Sequence, residues 1–125
     1  MINREQMIRN YVEGYNEYDT DKMVGDFDNN IVFENISHGQ LNMTLTGLAA
    51  FKEQAEVAKS YFSKRRQFIK SFQHKDDTTE IEIDYFAILE MDFPNGLKKG
   101  DELRLHGKSI FQFFNHKIIK LTDIS

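Results

Sequence analysis

The sequence predicts an α+β protein of order ααββαββββ, in which a curved, mostly antiparallel sheet wraps on N-terminal helices. Three observations carry this. The N-terminal half contains stretches with apolar residues at helical spacing, the C-terminal half contains long runs of period two, and the turn residues between those runs are few and local. Taken in order, residues 3–17 place Met7, Ile8, Tyr11, Val12 and Tyr15 at i, i+3, i+4 spacing, the stripe of a helix with one buried face. Asp19 or Asp21 is suited to cap a short second helix ending near Phe27, because a carboxylate accepts from the free N–H groups of a first turn. Asp28-Asn29-Asn30 breaks that helix. Ile31 to Ile36 is β-branched and aromatic, Ser37 to Gln40 supplies a turn, and Leu41 to Thr46 returns as the second strand of a hairpin.

Gly47 then opens a third helix over Leu48 to Phe62, with Leu48, Phe51, Ala55, Ala58 and Phe62 on one side. Residues 64–74 form a strand containing Phe68, Ile69 and Phe72. In residues 79–92, Ile81, Ile83, Tyr85, Ala87, Leu89 and Met91 alternate with Glu80, Glu82, Asp84, Phe86, Ile88 and Glu90. Pro94-Asn95-Gly96 makes a turn, Leu103 to Phe114 returns, and Asn115-His116 connects tightly to the last strand, Lys117 to Ile124. Without linker or repeat, residues 1–125 make a single domain, long enough to bury about two-thirds of its unfolded surface.

Composition narrows the function classes. Hydrophobic residues are 40% of the chain, with eleven Phe and five Tyr, so a packed core is expected. A net charge of −4 argues against nucleic acid, and the basic run Lys64-Arg65-Arg66 is too short to reverse that. There is no cysteine, hence no thiolate nucleophile or thiolate metal site. His38, His74, His106 and His116 are scattered without metal-ligand spacing, and Asp19-x-Asp21 suits capping better than a cation. Gly96 and Gly100 flank a hairpin instead of a strand-to-helix turn, so no phosphate cradle is expected, and neither a metal nor a cofactor. The segment MINREQMIRN has no apolar core of a leader, and no run approaches the ~18 residues of a membrane span. A cytoplasmic protein without membrane partner is the expectation.

Tyr11-Val12, Tyr15-Asn16, Asp19-Thr20-Asp21-Lys22-Met23 and Phe27 to Asn35 resemble the opening of ketosteroid isomerases and SnoaL-like polyketide cyclases, of the nuclear transport factor 2-like superfamily. Gly107-Lys108-Ser109-Ile110 resembles the late-strand segment of both branches. The resemblance implies a cone with a ligand pocket between sheet and helices. In ketosteroid isomerases an Asp base moves a proton while a Tyr and a neutral Asp hold the developing oxyanion. Tyr11 matches that Tyr. The base position holds Asn35, whose amide has no useful basicity, and the second oxyanion position, which is also the acid–base position of the cyclases, holds Ser109.

Two other carboxylates are candidates for the base. Glu34 is adjacent to Asn35 but points away from the pocket if Asn35 points in, unless a bulge intervenes. Asp123 shares parity with Ile119 and Leu121 and is the better inward acid. The expected pocket is lined by Tyr11, Tyr15, Phe33, Asn35, Phe51, Tyr85, Ser109 and Phe111. It is expected to bind a small apolar or aromatic molecule bearing a carbonyl or hydroxyl; the alternative is an isomerase, cyclase or dehydratase using Tyr11 with Asp123 or Glu34. By the same alternation, the outer face collects Phe86, Ile88, Ile110 and Phe114 beside charged residues, and members of the superfamily commonly pair through it, which implies a homodimer.

Overall fold

The computed structural model describes residues 3–125. Its elements are α1 (Arg4–Asn16), α2 (Thr20–Met23), β1 (Phe27–Ser37), β2 (Gln40–Thr46), α3 (Leu48–Lys59), β3 (Phe62–Lys75), β4 (Thr78–Leu89), β5 (Glu102–Phe114) and β6 (Lys117–Ile124), the order the sequence predicts. The six strands form one sheet, β2-β1-β6-β5-β4-β3. All pairs are antiparallel except β1 and β6, the second and third strands in that order, which run parallel.

The helices begin where capping chemistry allows. Asn3 accepts from the Gln6 N–H at 2.8 Å to open α1, and Asp19, rather than Asp21, accepts from the Lys22 N–H at 3.0 Å to open α2. Met7, Ile8, Tyr11 and Val12 of α1 are buried as the periodicity predicts. The two helices cross at Gly14, where a β-carbon would lie 2.5 Å from the backbone nitrogen of Met23. α2 stops at Met23, so Phe27 opens a strand instead of closing a helix. α3 likewise ends before Phe62, which pairs with Leu89 as the first residue of β3 and packs its ring against Tyr61, Tyr85 and Phe93. Those contacts seat the connection between β4 and β5, which is longer than a hairpin turn and is tied by Gly100 N–H to the Leu89 carbonyl at 2.8 Å.

The core lies between helices and sheet. Ile8, Ile31, Ile81, Phe111, Ile118 and Leu121 have no accessible surface, and each such side chain contributes about 1.5–3 kcal/mol relative to exposure. One expected parity is corrected here. A bulge in the β5–β6 pairing lets Ile118 and Leu121 both face inward, leaving Ile119 half-buried, while Leu121 and Asp123 keep the same face.

On the outer face charges pair across strands: Lys108 with Glu80 at 3.9 Å, Lys70 with Asp84 at 3.6 Å, and His106 with Asp84. Phe86, Ile88 and Ile110 are half-buried there, and Phe114 is exposed.

Candidate functional site

Register builds the site. Asn35 on β1 is the lateral partner of Asp123 on β6, and Asp123 is the partner of Ser109 on β5. Lateral partners point to the same face of a sheet, so three polar side chains form one row across its centre, facing the helices. In this row Ser109 donates to the Asp123 carboxylate at 2.7 Å, and Asn35 donates to the Asn42 side-chain oxygen at 2.8 Å. Asn42 is the extra residue of a β2 bulge, since Asn35 pairs with Met43 and Ile36 with Leu41.

Two cavities of about 190 Å³ each meet at Tyr15, Asn35 and Asp123. The first lies under α3 and is walled by Tyr11, Phe33, Phe51 and Arg65; the second opens toward β4 and β5 and is lined by Gln67, Tyr85, Gly107 and Ser109. Gly107 fits closely there: a β-carbon would approach the Ile124 carbonyl to 3.0 Å. In the aromatic wall Phe51 stands edge-on to Phe27 and Phe33, at 5.0 and 5.5 Å.

Of the residues expected in the pocket, Tyr11, Tyr15, Phe33, Asn35, Phe51 and Asp123 border the first cavity, and Tyr85 and Ser109 the second. Phe111 borders neither. It is fully buried and packs edge-on against Tyr11 at 5.6 Å, so it holds that ring from behind. Glu34 does not enter the pocket either, because β1 pairs with β6 without a shift from Val32 to Ile36 and alternation carries Glu34 to the outer face. There it meets Lys120 at 3.2 Å. A bulge is present beside it, but its extra residue belongs to β2 and leaves β1 in phase.

Electrostatics distinguish the polar groups. Enclosure among protein atoms raises the Asp123 pKa to about 6, against the opposing hydrogen bond from Ser109, although the residue keeps some surface open to the cavities. Burial also drives the Tyr11 hydroxyl well above its ordinary range, and the nearby Asp123 charge adds to this. Tyr15 is raised for the same first reason, and its hydroxyl is engaged with that of Tyr85 at 2.7 Å. The site thus holds a carboxyl that changes charge near neutrality beside a phenol that stays protonated.

Arg65 is a site residue that the sequence does not announce. Lys64 and Arg66 are exposed, as a basic run usually is, but Arg65 between them is only 4% exposed. Its Nε donates to the Tyr15 carbonyl at 3.0 Å, and its guanidinium carbon lies 3.8 and 4.4 Å from the ring centroids of Tyr15 and Tyr18. Asn16 fixes this strand by bonding both backbone groups of Gln67, at 2.7 and 3.1 Å. Desolvated cation–π contacts are worth about 2 kcal/mol, less than the several kcal/mol that burying an ion costs. Only the alternation of Arg65 and Gln67 with Ile69 hints at an inward face.

No family model matches the sequence, and no curated protein matches it. Solved structures do. A proposed polyketide cyclase of Xanthomonas campestris pv. campestris superposes with a TM-score of 0.83 at 15% identity, over 97% of this chain and 88% of that one. An NTF2-like protein of unknown function from Burkholderia pseudomallei K96243 gives 0.74 at 15%, over 98% and 90%. The chain has the nuclear transport factor 2-like fold. Within this fold, a hypothetical protein with a ketosteroid isomerase-like fold from Catenulispora acidiphila DSM 44928, in complex with trimethylamine, superposes at 0.78 with 11% identity, over 97% and 85%. Identities this low establish the NTF2-like architecture and leave the chemistry to the side chains. Among the described residues no helix is long and apolar enough to cross a membrane, and no group of three or more His, Asp or Glu is placed to hold a metal ion.

Proposed function

We propose that this protein is an acid–base enzyme that moves a proton beside a carbonyl group in a small, mostly apolar substrate. The supporting observation is Asp123, a carboxyl with a pKa of about 6 that opens on an aromatic-walled cavity next to Tyr11. A general base is most effective when its pKa lies near the working pH, and Asp123 meets that condition where Asn35 does not.

At neutral pH Asp123 is ionised and takes a proton from the carbon next to the carbonyl. The electron pair of the broken C–H bond moves onto oxygen, where the Tyr11 O–H, protonated throughout this range, stabilises the developing charge. Asp123 then returns the proton, to the same or a conjugated carbon. Ser109 orients the carboxylate. The first cavity, of about 190 Å³, takes a one-ring substrate, and the second, which joins it at Tyr15, Asn35 and Asp123, leaves room for a substituent.

The test is deuterium exchange next to the carbonyl of one-ring cyclic ketones in D2O, followed by proton NMR. The expected result is exchange faster than in buffer, rising with pH through an inflection near 6 and reduced by about 10²–10⁴-fold in Asp123→Asn. Exchange equal in wild type and Asp123→Asn would overturn the enzyme reading. The apolar wall then favours a binding pocket without turnover, in which Tyr11→Phe weakens ligand affinity modestly. Pairing of two copies through the outer face of the sheet is part of the same proposal, supported by the exposed Phe68 and Phe114.

A further inference from the structure

We propose that the ligand of this cavity is an acid, a one-ring molecule whose carboxylate is held by Arg65 while its carbonyl faces Tyr11 and Asp123. The inference rests on the proposed function for the carbonyl end and on separate observations for the acidic end. Arg65 borders the first cavity and is more than nine-tenths buried, yet no carboxylate lies within ion-pair distance of it among the described residues, and its Nη2 has no hydrogen-bond partner. A buried guanidinium needs a counter-charge, and the described residues supply none.

Asp123 does not fill that role. Ser109 is its hydrogen-bond partner and no ion pair joins it to Arg65 among the described residues, whereas the Arg65 guanidinium lies against the Tyr15 and Tyr18 rings. The two charged groups therefore serve different ends of the cavity. Since Asp123 must itself be ionised to act, a ligand carboxylate placed beside it would be repelled, and one placed at Arg65 would be attracted; the arrangement sets the orientation of the substrate. The Tyr15 carbonyl fixes one side of the guanidinium and the Tyr15 and Tyr18 rings lie against it, so it is held ready before a ligand arrives.

The experiment titrates the full chain at neutral pH with 4-oxocyclohexanecarboxylate and with its neutral primary amide, by calorimetry. The expected result is binding of the carboxylate at least about tenfold tighter than the amide, a preference abolished in Arg65→Met and retained in Asp123→Asn. Equal affinity for the two probes, no carboxylate binding in the millimolar range, or an undiminished preference in a folded Arg65→Met would overturn it. The wild-type comparison alone decides if that variant does not fold. The two proposals fail separately: lost exchange in Asp123→Asn without a carboxylate preference supports only the proton transfer, and a preference without exchange supports only the acid site.

Discussion

A carboxyl that titrates near 6 inside the fold and near its ordinary value outside it makes stability depend on pH. For Asp123 the folded pKa is raised from 3.8 to about 6, so between these values the folded state holds a proton that the unfolded chain releases. Stability from this residue is therefore greatest below about 4, declines as pH rises through the window, and stays at its lower level above about 6. At 1.36 kcal/mol per pH unit the ionised carboxylate costs up to about 3 kcal/mol. Asp123→Asn is expected to be more stable than wild type in urea at neutral pH and to lose that advantage near pH 3.5, below both pKa values; an equal difference at the two pH values would contradict this. The inward direction of Asp123 was legible from its parity with Leu121, and the outward direction of Glu34 from its adjacency to Asn35. Arg65 was not, because a basic run reads as solvated surface until strand pairing shows which of its members turns inward.

Among the elements, the crossing of α1 and α2 is the most constrained. A methyl group on Gly14 would meet the Met23 nitrogen at 2.5 Å and the Asp19 carbonyl oxygen at 3.0 Å, backbone atoms that cannot rotate away. Alanine would gain about 1 kcal/mol of helix propensity over glycine, but overpacking against backbone costs about 1–3 kcal/mol or more, so the clash prevails. Gly14→Ala is expected to lower the urea midpoint, and an unchanged or higher midpoint would show that the helices can separate without loss. The types of all nine elements followed from periodicity and capping residues. Their ends were less legible. Phe62 fits the apolar side of α3 by spacing, but β3 recruits it because its ring completes the aromatic cluster with Tyr85 and Phe93. The β2 bulge that presents Asn42 to Asn35 has no glycine or proline to mark it.

At the scale of the whole molecule, the outer face is where pairing of two copies is proposed. Most of its charges are paired within the chain, whereas Phe114 is 65% and Phe68 48% exposed. If two copies meet there, sedimentation should give twice the chain mass for wild type and the chain mass for Phe68→Glu with Phe114→Glu; a monomeric wild type would end that proposal. The parallel pairing of β1 with β6 also bears on how the protein folds. Asn35 and Asp123 become neighbours only when segments roughly 90 residues apart close on each other, a slow, entropically expensive step compared with forming the β1–β2 or β3–β4 hairpins. A chain halted before that step would contain most of its secondary structure and would lack the Asn35–Asp123 pairing. Any compound that fits the cavity would bind only the closed form, so it would act as a pharmacological chaperone, drawing partly folded chains toward the native state by mass action.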